Sequence, residues 1–73
     1  MLLINHNAYD NGTFGTFGTS DNGNGRYGGV FRYPDGRVVL RLINREGTYA
    51  VRTGGTYRKA QRKLRQWLKG YNV

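Results

Sequence analysis

The sequence predicts an α+β fold: a three-stranded antiparallel β-meander packed by one C-terminal α-helix, preceded by a flexible glycine-rich N-terminal arm. Three observations predict it. Two glycine-bearing turns separate three runs of β-branched and aromatic residues between Arg26 and Thr53. A stripe of apolar residues with helical period follows, from Tyr57 to Tyr71. Residues 11–25, NGTFGTFGTSDNGNG, hold no cation and no aliphatic side chain.

Residues 1–25 read as the arm and residues 26–73 as the folded unit. The apolar opening LLI is compatible with a short strand. The Gly-Thr-Phe-Gly-Thr-Phe-Gly-Thr repeat behind it cannot build a core, and leaves Phe14 and Phe17 as isolated aromatic groups. No G-x-G-x-x-G follows a strand and no G-K-[ST] is present, so the repeat is not a phosphate cradle.

In the folded unit, YPDGR places Pro34 where φ near −65° suits a turn and Gly36 where φ must be positive. NREGT repeats the plan with Gly47. Three-residue hairpin loops follow from both, giving strands at about 26–33, 37–44 and 48–53. This register sets Phe31 opposite Val39, Asn44 opposite Thr48 and Ile43 opposite Tyr49. Alternation then collects Val30, Val38, Leu40, Leu42 and Ala50 on one face, with Arg32 and Arg52 at its margins. The other face receives Tyr27, Phe31, Tyr33, Arg37, Val39, Arg41, Ile43, Tyr49 and Val51.

Tyr57, Ala60, Leu64, Trp67, Leu68 and Tyr71 share one side of a helix over 57–69, with Thr56 as N-cap and Gly70 as stop. This stripe packs on the aliphatic sheet face. The second face is too apolar to stay bare, and Leu2, Leu3, Ile4, Phe14 and Phe17 are expected to cover it or to dock on another molecule.

Charge narrows the function. The chain has 73 residues, 12 Lys and Arg against 4 Asp and Glu, and net charge +8. Residues 1–25 hold no cation, whereas residues 47–73 hold seven cations and no acid. Such a field attracts polyanions. Arg58 and Lys59 occupy the first helical turn, where the dipole opposes positive charge by about 0.3–1 kcal/mol each, so folding does not explain them and binding does. The polyanion-binding candidates are therefore Arg37, Arg41, Arg58, Lys59, Arg62, Lys63, Arg65 and Lys69. The partner-binding candidates are Leu2, Leu3, Ile4, Phe14, Phe17, Phe31, Tyr33 and Tyr49. Arginines interleaved with aromatics on the sheet suit phosphate contact, base readout or stacking.

Other classes find little support. There is no cysteine and one histidine, so neither a disulfide nor a zinc site is expected. His6 and Asp10 form the only acid–imidazole pair close in sequence, with no nucleophile or second carboxylate beside them, so no enzyme, cofactor or small-molecule substrate is expected. No apolar run approaches the roughly 20 residues of a membrane span, and the expected location is the cytoplasm, that of the host if a phage encodes the chain.

RYGGV, the DGR turn and the arginines entering the second strand resemble the AP2 and integrase-arm DNA-binding domains over residues 26–69. That resemblance implies a sheet inserted in the major groove, with Arg37 and Arg41 as its contacts. Over the whole chain, in length and character, the protein is similar to small host-takeover regulators of Xanthomonas phages. That similarity implies binding to host RNA polymerase, inhibition of initiation and read-through of terminators. Among the partners, RNA polymerase leads and direct contact with RNA or DNA backbone follows.

Overall fold

The computed structural model describes residues 3–8 and 11–73. Five strands and a helix run in chain order: β1 (Leu3–Ala8), β2 (Phe14–Thr19), β3 (Tyr27–Arg32), β4 (Val38–Asn44), β5 (Gly47–Thr53) and α1 (Tyr57–Lys69). The strands form one sheet ordered β1-β2-β3-β4-β5, each neighbouring pair antiparallel. The fold is α+β, but with five strands rather than three. The segment expected as a flexible arm supplies the additional two.

The reason lies in how FGTFGT meets YGGVFR. Gly15 of β2 faces Phe31 of β3, and Phe17 faces Gly29. Each ring thus crosses a glycine on the neighbouring strand, and Phe17 and Phe31 meet edge-on with centroids 5.2 Å apart. A Cβ at Gly29 would lie 3.2 Å from Phe17 and 3.3 Å from Phe31. Glycine's weak strand preference is offset by the aromatic cover. On the opposite face the buried Thr16 hydroxyl accepts a hydrogen bond from Gln61 Nε2 at 3.1 Å, bonds the Tyr57 hydroxyl, and lies 3.1 Å from His6 Nδ1. One side chain so ties β1, β2 and α1 together.

The β3–β4 hairpin closes over Pro34–Gly36. Gly36 N–H donates to the Tyr33 carbonyl and Tyr33 N–H to the Arg37 carbonyl, both at 2.9 Å, and Gly36 has φ 88°. Phe31 faces Val39, as the turn chemistry predicts. The β4–β5 hairpin differs. Asn44 faces Gly47 across a two-residue loop, Ile43 faces Thr48, and the register then shifts so that Leu42 faces Ala50. The expected Asn44–Thr48 and Ile43–Tyr49 pairs are therefore replaced. A shorter loop displaces the register by one residue, and a β-bulge at Tyr49 restores it.

α1 matches its expected bounds. Thr56 Oγ1 accepts from Lys59 N–H at 3.1 Å. Gly70 ends the helix at φ 109°, with Gly70 N–H donating to Trp67 and Tyr71 N–H to Gln66, a Schellman closure. The helix lays Ala60, Leu64, Trp67 and Leu68 on Val30, Val38, Leu40 and Leu42, and among the described residues these eight form the buried hydrophobic core. Ala50, Tyr57 and Val73 pack around it. Close approach is possible because β3 presents Gly28 there: a Cβ would lie 2.3 Å from the Arg41 carbonyl oxygen and 2.9 Å from Leu64 Cδ1. Trp67 fills the remaining space, and its Nε1 donates to the Tyr27 and Ile43 carbonyls, both at 3.2 Å. Among the described residues no helix is long and apolar enough to cross a membrane.

Gly28→Ala is expected to destabilise the fold by about 1–3 kcal/mol through overpacking. In a domain this small each kcal/mol moves the thermal midpoint by about 4–8 °C. A midpoint unchanged in calorimetry would mean that α1 does not sit against Gly28.

Candidate nucleic-acid interface

The described carboxylates, Asp21, Asp35 and Glu46, all lie in turns, and neither α1 nor any strand contains an acid. The twelve cations divide by what they touch. Arg26 lies over the Trp67 ring at 4.0 Å and donates to the Trp67 and Tyr71 carbonyls and to Asn72 Oδ1. Arg32 lies over Phe14 and Tyr57, at 5.6 and 5.3 Å from their centroids. Arg45 donates to the Gly23 carbonyl and Arg52 to that of Val73, each at 2.7 Å. These four arginines brace loops, rings and the C-terminal tail.

The helix cations do none of this. Arg58, Arg62, Arg65 and Lys69 recur at i, i+4, i+7 and i+11 on the side of α1 away from the sheet, and Lys59 and Lys63 flank them; all six are exposed. The four-residue stripe is about 16 Å long. Such a row neutralises phosphates or an acidic surface without selecting sequence. At the N-terminal end of α1 the same surface continues into a cleft of about 270 Å³ lined by Arg52, Gly54, Gly55, Thr56, Lys59 and Lys63. Arg52 was not among the sequence candidates. Its cross-strand partner Leu40 belongs to the helix-facing side, and that alternation was the one signal placing it near α1.

The second surface is the sheet face turned away from the helix. By register it carries Asn5 and Asn7 of β1, Phe17 and Thr19 of β2, Tyr27 and Phe31 of β3, Val39, Arg41 and Ile43 of β4, and Val51 of β5. Tyr33 and Arg37 close its hairpin end, the guanidinium 4.4 Å from the ring centroid. Phe17 and Phe31 are half-buried, whereas Tyr27 and Val51 are 45% and 53% exposed. A cleft of about 190 Å³ opens between β1, β2 and β3, lined by Asn5, Phe17, Thr19 and Tyr27.

The remaining candidates separate. Phe14 lies on the helix side, with its ring 5.8 Å from Tyr57 and 6.0 Å from His6. Tyr49, expected on the open face, is turned by the bulge onto Trp67, where the rings stack at 4.5 Å. Leu3 and Ile4 begin β1. Leu2 and Asp10 lie outside the described residues. The proposed partner-binding set is thus not brought together: Phe17, Phe31 and Tyr33 share the open face, and Phe14 and Tyr49 do not. His6 is exposed on edge strand β1, beside Thr16.

Because Thr56 is the N-cap, a glutamate at position 59 would complete a capping box and remove a cation from the positive end of the dipole. Lys59→Glu is expected to raise stability by about 0.3–1 kcal/mol and to lower the salt concentration needed to elute the protein from heparin. Loss of stability without loss of retention would make Lys59 a structural residue instead.

Compared with known proteins, the chain matches no family model, no curated protein and no solved structure.

Proposed function

We propose that the protein is a non-enzymatic transcription regulator that engages RNA polymerase complexes through the cationic outer face of α1. One observation carries the reading: six exposed cations on a helix with no acid, whose opposite side is fully occupied by the sheet. Folding gains little from this arrangement: like charges at i,i+4 repel and first-turn cations oppose the dipole, and of the six only Lys69, in the last turn, is favoured by it. A large anionic partner accounts for it. RNA polymerase with its nucleic acid is such a partner, and the chain's similarity in size and character to phage regulators favours it over other anionic assemblies. The expected outcome of docking is reduced initiation and read-through at terminators.

The open sheet face is less suited to reading duplex DNA than a three-stranded sheet would be. Five strands spaced by about 4.8 Å span about 19 Å between their edges, and the major groove is about 12 Å wide. A narrower sheet enters such a groove; this one meets its walls. The two added strands therefore weigh against the AP2 and integrase-arm mode.

The test is retention on purified RNA polymerase before and after nuclease treatment, comparing the natural chain with Arg58→Gln/Arg62→Gln/Arg65→Gln/Lys69→Gln. The natural chain is expected to be retained and the variant to lose most of its binding while keeping its thermal midpoint. Equal retention of both would remove the helix from the interface, and absence of any polymerase retention would end the reading. Neutralising four phosphate-contacting cations would also flatten the salt dependence, each contact contributing about 0.9 to the logarithmic slope on duplex.

A further inference from the structure

We propose that the sheet face opposite α1 is a stacking platform for single-stranded nucleic acid. A base enters the cleft between Phe17 and Tyr27, and the phosphate backbone runs past Arg41 toward Arg37. The proposal rests on the reading above for nucleic acid being the partner, and it adds which form is bound and which residues bind it.

Four features of the face carry it. The first is the aromatic pair. Phe17 faces Gly29, and Tyr27 lies two residues before Gly29 on the same strand, so the two rings are diagonal neighbours on one side of the sheet. Diagonal neighbours are about 7–8 Å apart between Cα atoms, close to twice the 3.4 Å or so that separates stacked bases along a strand. Phe17 is held at its edge by Phe31, and Tyr27 is 45% exposed, so one ring is fixed and the other open to solvent. The cleft between them measures about 190 Å³ and is bounded by Asn5 and Thr19, whose polar groups can meet base edges.

The second is the line of access. Across the sheet the order is Asn5, Phe17, Gly29, Arg41, Val51. Gly29 has no side chain, and the Phe17 and Phe31 rings lean over it, each within about 3.3 Å of where a Cβ would stand, so the aromatic surface extends across β3 toward Arg41. Arg41 is exposed, two strand spacings or about 10 Å from Phe17. Base and phosphate of one nucleotide are separated on that scale, so one group stacks while the other is neutralised.

The third is charge. No strand contains a carboxylate, and on this face the apolar residues Val39, Ile43 and Val51 surround a cation rather than forming a continuous patch. A purely apolar protein partner would have to bury Arg41 without compensation, which is costly. A polyanion with apolar faces would not. The fourth is form. The width that obstructs a major groove is no obstacle to a strand lying across the sheet, and stacking of this kind tolerates any sequence because every base has a π-face.

The experiment uses the full chain and three labelled probes: a short oligothymidylate, an oligouridylate of equal length and a duplex of the same length, read by fluorescence anisotropy. The expected result is binding of both single strands in preference to the duplex. Tyr27→Ala and Arg41→Gln should each weaken it on the order of 10-fold. Both side chains are exposed, and thermal midpoints close to that of the natural chain would show the fold intact. Should Tyr27→Ala lose stability, Arg41→Gln decides, through its affinity and a smaller salt slope. Loss of binding in the helix variants alone, with Tyr27→Ala and Arg41→Gln unchanged, overturns the platform and leaves α1 as the binding surface. Polymerase retention without single-strand binding overturns it likewise and leaves the proposed function standing. Equal affinity for duplex, or a dimer in analytical ultracentrifugation that Tyr27→Ala dissociates, also overturns it, the latter because a second copy would then cover the face.

Discussion

At Gly28 the helix lies closer to the sheet than any side chain there would permit. Leu64 fills the space that a Cβ would occupy, and the Arg41 carbonyl closes it from the neighbouring strand. That approach brings Trp67 down onto the sheet, where its indole N–H is satisfied by the Tyr27 and Ile43 carbonyls. A domain with no cysteine and a small buried apolar core has little margin for a void. Arg26 and Tyr49 pack on the indole and extend its burial beyond what the aliphatic residues provide. The C-terminal tail is held by the same arginine, so helix, tail and strand β3 form one cooperative contact.

Close seating of α1 has an electrostatic consequence. With the apolar stripe committed to the sheet, the cationic stripe has no course but to face solvent. The molecule tolerates the resulting repulsion without compensating carboxylates in any regular element. Its cations are also chemically sorted. Those on the strands and the loop before them are all arginine, and several use a planar guanidinium to cap a ring or bridge carbonyl groups, which lysine does less well. Lysine appears only on the helix, where a flexible point charge suffices.

The two candidate surfaces lie on opposite sides of the sheet, and this separation gives the domain a direction. A single short nucleic-acid strand cannot lie on both. An arrangement with the helix against an anionic assembly leaves the aromatic face free, and a strand emerging from that assembly would meet Phe17, Tyr27 and Arg41 without displacing the helix. The reach of the electrostatic field, about 8–10 Å at ordinary ionic strength, keeps the two sides largely independent.

Local chemistry made much of this legible in the residues alone. Thr56 and Gly70 bound α1 because caps satisfy backbone groups within a turn of the helix end, and Gly36 sets its hairpin because a positive φ is needed there whatever surrounds it. The helix-facing set of Val30, Val38, Leu40 and Leu42 follows from the two-residue period of a strand. What the tertiary structure decided is non-local. The glycines of FGTFGT have weak strand preference by themselves, and the segment becomes a strand because YGGVFR offers the Phe31 ring opposite Gly15 and a glycine opposite Phe17. That complementarity was present in the sequence but meaningful only once two segments a dozen residues apart were set antiparallel. The bulge at Tyr49 is of the same kind: the loop is one residue shorter than its composition suggests, and packing against Trp67 holds the displaced ring. A residue's own conformational preference acts at short range, whereas the pairing of strands is chosen by which faces fit, and only the assembled sheet brings those faces together.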